Sequence, residues 1–135
     1  MRKACLQNLK AAGALQGAHD NGKGMLLFYS SECGLKHIIM NDQGHRNSAI
    51  VASSFGHNIR SLVAEAKISR SELAQGPGSE VTFPNLRKKG EAAMLSLSDF
   101  HVAMRYGIEL DADDETNAMM FFDRLTTALK KRLTE

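Results

Sequence analysis

The sequence contains no tryptophan, and aromatic residues make up only 6% of its 135 positions. Seven methionines are present, which is the more prominent apolar feature. Because methionine is unbranched and fills irregular gaps, a core rich in methionine and poor in aromatic rings favours packed helices over a sheet. We therefore interpret the methionines as core residues and expect a helical protein.

The sequence also has few cysteines, a small net charge and no long apolar run. Cys5 and Cys33 are too few for a disulfide framework and are typical of reduced cytosolic thiols. The formal net charge of +2 is too small to indicate a nucleic-acid binder by itself. The longest strongly apolar run, residues 25–29, is far shorter than a membrane span, and no signal peptide is visible. We expect one cytoplasmic domain, residues 1–135, without membrane association.

The most apolar continuous stretch runs from Gly22 to Asn41. At 3.6 residues per turn, apolar side chains cover more than half of its circumference, which is typical of a helix covered by neighbours on several sides. We predict that this stretch forms the central helix of a small bundle. Its apolar positions are Leu26, Leu27, Tyr29, Cys33, Leu35, Ile38, Ile39 and Met40.

Further helices are predicted on both sides of the central one. An amphipathic helix over residues 3–18 ends at the turn signal of residues 20–22. Asn58 is a suitable N-cap for a helix whose apolar residues recur at helical spacing. Ser69 and Glu72 fit a capping box, which predicts a break followed by one short further turn.

The last helix has the clearest signal. Acidic residues crowd its start and basic residues its end, as the helix dipole favours. The acids are Asp111, Asp113, Asp114 and Glu115, the bases Lys130, Lys131 and Arg132, and the stripe between them is Ala118, Phe122, Leu125, Leu129 and Leu133. The fold class predicted is all-α, a bundle of four to five helices.

An irregular or small hairpin insertion is predicted before the last helix. Residues 78–108 carry the weakest helical signal. Within them, residues 81–84 and Leu95–Phe100 favour extended or irregular structure, and Arg87–Gly90 is interpreted as a solvated turn. An ordered loop of this length inside a compact domain is either functional or partly mobile.

Three segments, in this order, resemble motifs of the HEPN superfamily of prokaryotic helical domains. Tyr29–Ile39 is similar to the family's second helix, where an acidic residue precedes a small-Leu-Lys run. Gly56–Leu62 is similar to the Gly-His-Asp-Leu start of the following helix, and Met104–Gly107 to an Arg-Tyr segment before the final helix. The resemblance extends over most of residues 4–133.

The resemblance implies a dimeric bundle that belongs to a toxin–antitoxin or antiviral defence system. Such domains also serve as accessory subunits beside nucleases or nucleotidyltransferases. The implied partners are therefore a second copy, an effector protein of the same system, and RNA. Active members are ribonucleases without metal or cofactor, in which an arginine and a histidine four to six residues later act on the phosphate and the 2′-hydroxyl.

The sequence departs from this Arg–His pattern. Arg46 is followed by His57, which is too distant, and neither Arg60 nor Arg105 has a histidine at the required interval. His101 precedes Arg105 by four positions, in reverse order. We therefore predict a non-catalytic member that functions by binding. The alternative is a divergent ribonuclease that uses Arg46, His57, His101 and Arg105 across a dimer.

Several polar residues are candidates for binding RNA or phosphate, each with a structural alternative. His45 and Arg46 lie in a polar stretch that can hold a phosphate or simply be solvated. His57 precedes a helix start, where turn and cap explain it equally well. For Arg105 and Tyr106, the favoured interpretation is a buried ring with the arginine on a helix carboxylate, rather than a stacking site. The candidate set is His45, Arg46, His57, Arg60, Arg105 and Tyr106.

A metal site is not predicted. Cys33 and His37 are four residues apart on the central helix, as two ligands would be. Zinc needs three or four ligands, and the remaining cysteine and histidines show no ligand spacing. A core thiol beside a partly exposed imidazole is the preferred interpretation.

Overall fold

The computed structural model of the chain describes residue 7 and residues 21–42, 58–78 and 80–134. Within these residues the chain forms four α-helices and no strand. The helices are α1 (Asn21–Asp42), α2 (Ile59–Glu65), α3 (Phe100–Tyr106) and α4 (Ala112–Thr134). This confirms the predicted all-α bundle. Except for residue 7, the predicted helix over residues 3–18 lies outside the described residues, as does the polar stretch after α1.

The long helix α1 is the centre of the bundle, as predicted. It packs against α2, α3 and α4. Leu27, Phe28, Leu35 and Ile39 are at most 3% exposed and form its innermost face, whereas Tyr29 and its neighbours on the adjoining stripe are partly buried. A helix covered on several sides needs a broad apolar surface, which explains why apolar residues extend around most of its circumference.

All five phenylalanines in the described residues belong to one aromatic cluster that joins the helices. The ring of Phe122 on α4 lies 5.1 Å from that of Phe100 on α3 and 5.4 Å from that of Phe28 on α1. Phe121 contacts Phe122 at 5.4 Å and Phe83 at 5.5 Å. Since such pairs stabilise by roughly 0.5–1.5 kcal/mol beyond the area they bury, the few aromatic residues concentrate their effect at the helix crossings.

Helix α2 begins and ends with local hydrogen-bonding motifs. Asn58 is its N-cap, as predicted, and its side chain accepts a bond from the Ser61 amide at 3.1 Å. After the helix, Lys67 has a φ of 56°. The amide of Lys67 donates to Ala64 at 3.1 Å and that of Ile68 to Val63 at 3.2 Å. These bonds form a Schellman motif with lysine in the left-handed position that glycine usually occupies.

The predicted capping box after this break is confirmed. The Ser69 amide donates to the Glu72 carboxylate at 3.4 Å, and the Glu72 amide donates to the Ser69 hydroxyl at 3.3 Å. The turn closes with a second Schellman motif, in which Ala74 has a φ of 54° and the Gln75 amide donates to the Arg70 carbonyl at 2.9 Å. The chain thus reverses twice within ten residues without using glycine.

Arg132 on α4 fixes both of these reversals. Its Nε and one terminal nitrogen donate to the two Glu72 oxygens at 2.8 and 2.6 Å. The guanidinium also donates to the carbonyls of Ala66 and Lys67, both at 3.0 Å. These carbonyls lie at the C-terminal end of α2, where the helix leaves acceptors unpaired. One side chain therefore satisfies the end of α2 and binds the following turn to α4.

Hydrogen bonds from a second arginine, Arg70, hold the two ends of the loop after Gln75 together. Arg70 donates to the Glu80 carbonyl at 2.8 Å, to the Thr82 hydroxyl at 2.6 Å and to the Gln75 carbonyl at 2.6 Å. Gly78 lies directly against it with a φ of 137°, and a Cβ there would approach the Arg70 side chain to 2.9 Å. Only glycine allows the backbone to pass so close to the arginine.

The insertion before the last helix differs from the prediction at its C-terminal end. The extended or irregular structure predicted for Leu95–Phe100 is wrong beyond residue 96, because Leu97–Asp99 form a 3-10 turn and Phe100 begins α3. The Ser96 hydroxyl accepts a bond from the Ser98 amide at 3.3 Å and starts the turn. A short capping signal of this kind is easily missed beside serines that also favour loops.

The basic turn in the insertion is more ordered than predicted. Isolated antiparallel bridges join Arg87 to Met94 and Lys88 to Leu110, in place of a regular hairpin. The Arg87 guanidinium donates to the two oxygens of Asp114 at 2.8 and 3.4 Å. The side chain of Asp114 is only 7% exposed, and that of Arg87 is 39% exposed. Arg87 is therefore a structural ion-pair partner of α4 and not part of a fully solvated turn.

The Arg132 bonds give a testable prediction for stability. Burial alone would raise the pKa of Glu72, but the bonds from Arg132 and Ser69 outweigh it and hold that pKa below its ordinary value of 4.5. Arg132→Ala should lower the free energy of unfolding at pH 7 by about 1–2 kcal/mol, because charged hydrogen bonds are lost at partly exposed groups. Urea denaturation measures this loss. Arg132→Lys should recover little, since lysine cannot bind a carboxylate in two-point fashion.

The same variant has a predicted pH dependence. A carboxyl with a lowered pKa stabilises the fold above about pH 4.5 and loses that contribution as the pH falls through its folded-state pKa. The difference between wild type and Arg132→Ala should therefore shrink in acid. Arg124→Ala, an exposed change on the same helix, is the control and should stay within about 0.5 kcal/mol of wild type. A difference that is constant down to pH 3 would contradict the assignment.

Candidate functional site

The structure describes three of the six predicted RNA or phosphate ligands. His45, Arg46 and His57 lie outside the described residues. Arg60 is on the first turn of α2, and Arg105 and Tyr106 are on the last turn of α3. Of the alternative catalytic set, only His101 and Arg105 are described, and both are on α3.

His101 is built into the edge of the core. Its ring lies 4.6 Å from that of Phe28 and 5.9 Å from that of Tyr29, both on α1. Its Nδ1 lies 2.6 Å from the Ser98 carbonyl, and because a carbonyl only accepts, this nitrogen carries the proton. The imidazole thus packs as an aromatic side chain against α1, with one nitrogen committed to the backbone.

Tyr106 is exposed, contrary to the favoured interpretation of the sequence. Its side chain is 70% exposed, and the Arg105 guanidinium lies 5.7 Å from its ring. The buried positions of α3 are Phe100, Ala103 and Met104, which share one face at helical spacing. Residues 105 and 106 therefore point away from α1. The prediction that Tyr106 is buried while Arg105 binds a helix carboxylate is wrong.

The exposed Arg105–Tyr106 pair combines the two residue types most common at binding hot spots. Tyrosine and arginine are enriched there because each offers a large contact area together with polar groups. The α3 helix ends directly after the pair, at Gly107, whose φ is 67°. The cation and the ring thus lie at the end of a helix that its buried face fixes to the core.

Acidic residues follow this pair. Residues 107–112 line an open groove of about 590 Å³ together with Lys89 and Glu115. Its side chains include Glu109, Asp111 and Glu115, against one lysine. Such a surface repels phosphate groups, and it is compatible with a protein partner that carries basic or neutral side chains.

Arg60 occupies a different environment. Its guanidinium carbon lies 5.1 Å from the centre of the Phe83 ring. The arginine is exposed, whereas Phe83 is half-buried and packs on Phe121 in the aromatic cluster. The arginine is held over the ring by cation–π attraction, so its position is less free than that of an ordinary surface side chain.

Cys33 and His37 do not form part of a larger ligand set among the described residues. Burial raises the pKa of the Cys33 thiol, and the neighbouring Glu32 raises it further, while Lys36 acts in the opposite direction. The Asn41 amide lies 3.2 Å from Nε2 of His37. No group of three or more histidine, cysteine, aspartate or glutamate side chains in the described residues is arranged to hold a metal.

An ion pair on α1 escaped the sequence analysis. The Lys36 ammonium lies 2.7 Å from a Glu32 carboxylate oxygen, with side chains 8% and 12% exposed. The spacing of four residues was the available signal, since an acid four residues before a lysine forms a helical pair. A helical pair of this kind is usually exposed to solvent, so the spacing does not indicate that this pair is buried. These residues belong to the segment that resembles HEPN domains, so that part of the motif has a structural role.

No family model, curated protein or solved structure matches the chain. The HEPN resemblance therefore rests on the three sequence segments. In the described part of the chain, none of the helices has the length and apolarity needed to cross a membrane.

The buried ion pair gives a prediction that separates it from surface pairs. Lys36→Met should lower the free energy of unfolding by about 3 kcal/mol, because it removes the cation that lies 2.7 Å from the largely buried Glu32 carboxylate. The double variant with Glu32→Gln should recover part of that loss. Lys89→Met is the control, because its pair with Glu109 is 72% and 77% exposed and should contribute less than about 1 kcal/mol. Equal effects of the two lysine variants in urea denaturation would refute the prediction.

Proposed function

We propose that the protein is a non-catalytic helical subunit of a prokaryotic antiviral defence or toxin–antitoxin system. It forms a dimer and binds an effector protein of that system, such as a nuclease or a nucleotidyltransferase. The order of the three HEPN-like segments supports the choice of system. The all-α bundle around α1 is compatible with it.

The exposed Arg105–Tyr106 pair is the observation that carries the binding role. A metal-independent ribonuclease needs an acid or base and a cation that converge on the 2′-hydroxyl and the scissile phosphate. His101 instead packs on Phe28 and Tyr29, whereas Arg105, four residues later, lies over Tyr106. Because the imidazole packs on the core and one of its nitrogens bonds the Ser98 carbonyl, we favour binding over catalysis.

A protein partner explains the surroundings of the pair better than RNA does. Single-stranded RNA binding relies on a positively charged groove in addition to stacking rings. The groove beside Gly107 is lined by three carboxylates and one lysine. Protein interfaces, by contrast, combine exposed tyrosine and arginine with a mixed-charge rim. The proposed partner is therefore an effector protein, and RNA binding is a competing outcome.

The experiment compares partner binding by wild type and variants of the exposed pair. The tagged protein is purified from its native host, and the effector that co-purifies is identified and titrated against each variant. Tyr106→Ala should weaken its binding by at least about 30-fold, which corresponds to the 2 kcal/mol expected of a hot spot. Tyr106→Phe keeps the ring and is the matched control, expected within a few-fold of wild type. A monomeric chain in light scattering that recovers no partner would refute the proposal.

A nuclease assay distinguishes the catalytic alternative. Labelled tRNA and mRNA are incubated with the purified protein without metal, and no cleavage is expected. His101→Phe retains an aromatic ring against Phe28 and removes the imidazole, so it tests chemistry with little change in packing. Cleavage by wild type that is lost in both His101→Phe and His57→Ala would establish a divergent ribonuclease and overturn the binding role.

A further inference from the structure

An open groove of about 650 Å³ runs along α2 and the start of the insertion. We call it the α2 groove. Its apolar lining comes from Val63, Ile68, Val81 and Phe83, and its cationic lining from Arg60 and Lys67. This volume is within the range of protein sites that hold small molecules or single anchoring side chains. The groove thus offers an apolar surface beside two positive charges.

The charge of the groove is positive. Arg60 and Lys67 contribute two cations, and Glu80 contributes the single carboxylate in its lining. Arg60 is already positioned, because its guanidinium lies over the Phe83 ring and that ring is anchored on Phe121. A cation fixed in advance loses less conformational freedom when it binds an anion.

Lys67 occupies a backbone position that disfavours lysine. Its φ of 56° is left-handed, and its amide closes the Schellman motif at the end of α2. Glycine is the usual residue there, because a Cβ clashes with the neighbouring backbone in this conformation. Unfavourable backbone conformations of this kind cluster at functional sites. Lys67 is exposed and contributes to the lining of the groove, so a cationic residue occupies this disfavoured backbone position beside Arg60.

We propose that the α2 groove binds an acidic segment of the effector protein, with a large apolar side chain as its anchor. The anchor contacts the apolar lining, and its flanking carboxylates pair with Arg60 and Lys67. A nucleotide fits less well, because Arg60 already covers the Phe83 ring on which a base would stack. This proposal rests on the proposed function in one respect, that the natural ligand is a protein.

Variants that relieve strain provide the sharpest test. Lys67→Gly removes the ammonium and places glycine where the backbone favours it, so its melting temperature should rise by about 3 °C. Any loss of binding then cannot result from unfolding. Ala74→Gly is the matched control: it relieves the same strain in the second Schellman motif, and Ala74 does not line the α2 groove. It should raise the melting temperature without changing binding.

A phage-displayed library of random 16-residue peptides serves as the probe. Selection on the wild-type protein should enrich peptides with aspartate or glutamate on both sides of a leucine, isoleucine, phenylalanine or methionine. Arg60→Ala and Lys67→Gly should each weaken the best synthetic peptide at least about 10-fold, the loss expected for one partly desolvated ion pair. Ala74→Gly should stay within twofold. Serine at the peptide's apolar anchor should abolish binding.

Three results of the peptide experiment would overturn the inference. They are no enrichment, enriched peptides without acidic residues, and equal affinity of wild type and Lys67→Gly. Binding of a uridine oligonucleotide that is lost in Lys67→Gly would also overturn it, in favour of a nucleic-acid site. The co-purified effector separates the two proposals. If Tyr106→Ala loses the effector while Arg60→Ala and Lys67→Gly retain it, the proposed function stands and the groove assignment fails. If the selection enriches the expected peptides but no effector is recovered, the groove assignment is supported and the proposed function is not.

Discussion

The contact of Phe122 with Phe28 and Phe100 is the interaction on which the arrangement of the helices depends. One ring on α4 touches α1 and α3 at once, and all three rings are fully buried. The position of α3 fixes His101 against α1 and leaves Arg105 and Tyr106 outside. The location of the candidate binding surface is therefore a consequence of core packing. Although aromatic residues are few, they stabilise the packing of the helices because their rings meet at the helix crossings.

Local signals in the sequence predicted α1, α2 and α4 and the caps at Asn58 and Ser69, but not α3. Long-range contacts produced the differences at Arg87 and Tyr106. Asn58 and the Ser69–Glu72 box form with neighbours at most three residues away, so their motifs can be recognised without the fold. Arg87 forms an ion pair with Asp114, which is twenty-seven residues further along the chain, and the sequence around Arg87 does not indicate this pair. The prediction that Tyr106 is buried is wrong for the same reason, since only the packing of α3 decides which of its residues face α1. The site is thus less predictable than the fold.

Five of the six arginines in the described residues differ in what they contact, and this difference separates charges with a structural role from charges available for binding. Arg70, Arg87 and Arg132 donate to carboxylates, a hydroxyl or backbone carbonyls, and these bonds hold loops to helices. Arg60 and Arg105 lie over aromatic rings instead. A ring leaves the in-plane donors of a guanidinium free to meet carboxylates, because it attracts the cation through its face. Composition alone assigns all five the same charge and cannot make this distinction.

Three helical segments of the described residues end at a residue in the left-handed conformation, and this residue differs among them. Gly107 ends α3 with the residue that the geometry favours, whereas Lys67 and Ala74 adopt nearly the same φ with a Cβ present. Ala74 contributes little beyond its methyl group, so its position is explained by the turn it closes. Lys67 brings a cation into the lining of the α2 groove, beside an arginine held over Phe83. The turn explains the left-handed conformation at Ala74, whereas at Lys67 the same conformation carries a cation into the lining of the groove, where the proposed acidic segment would bind.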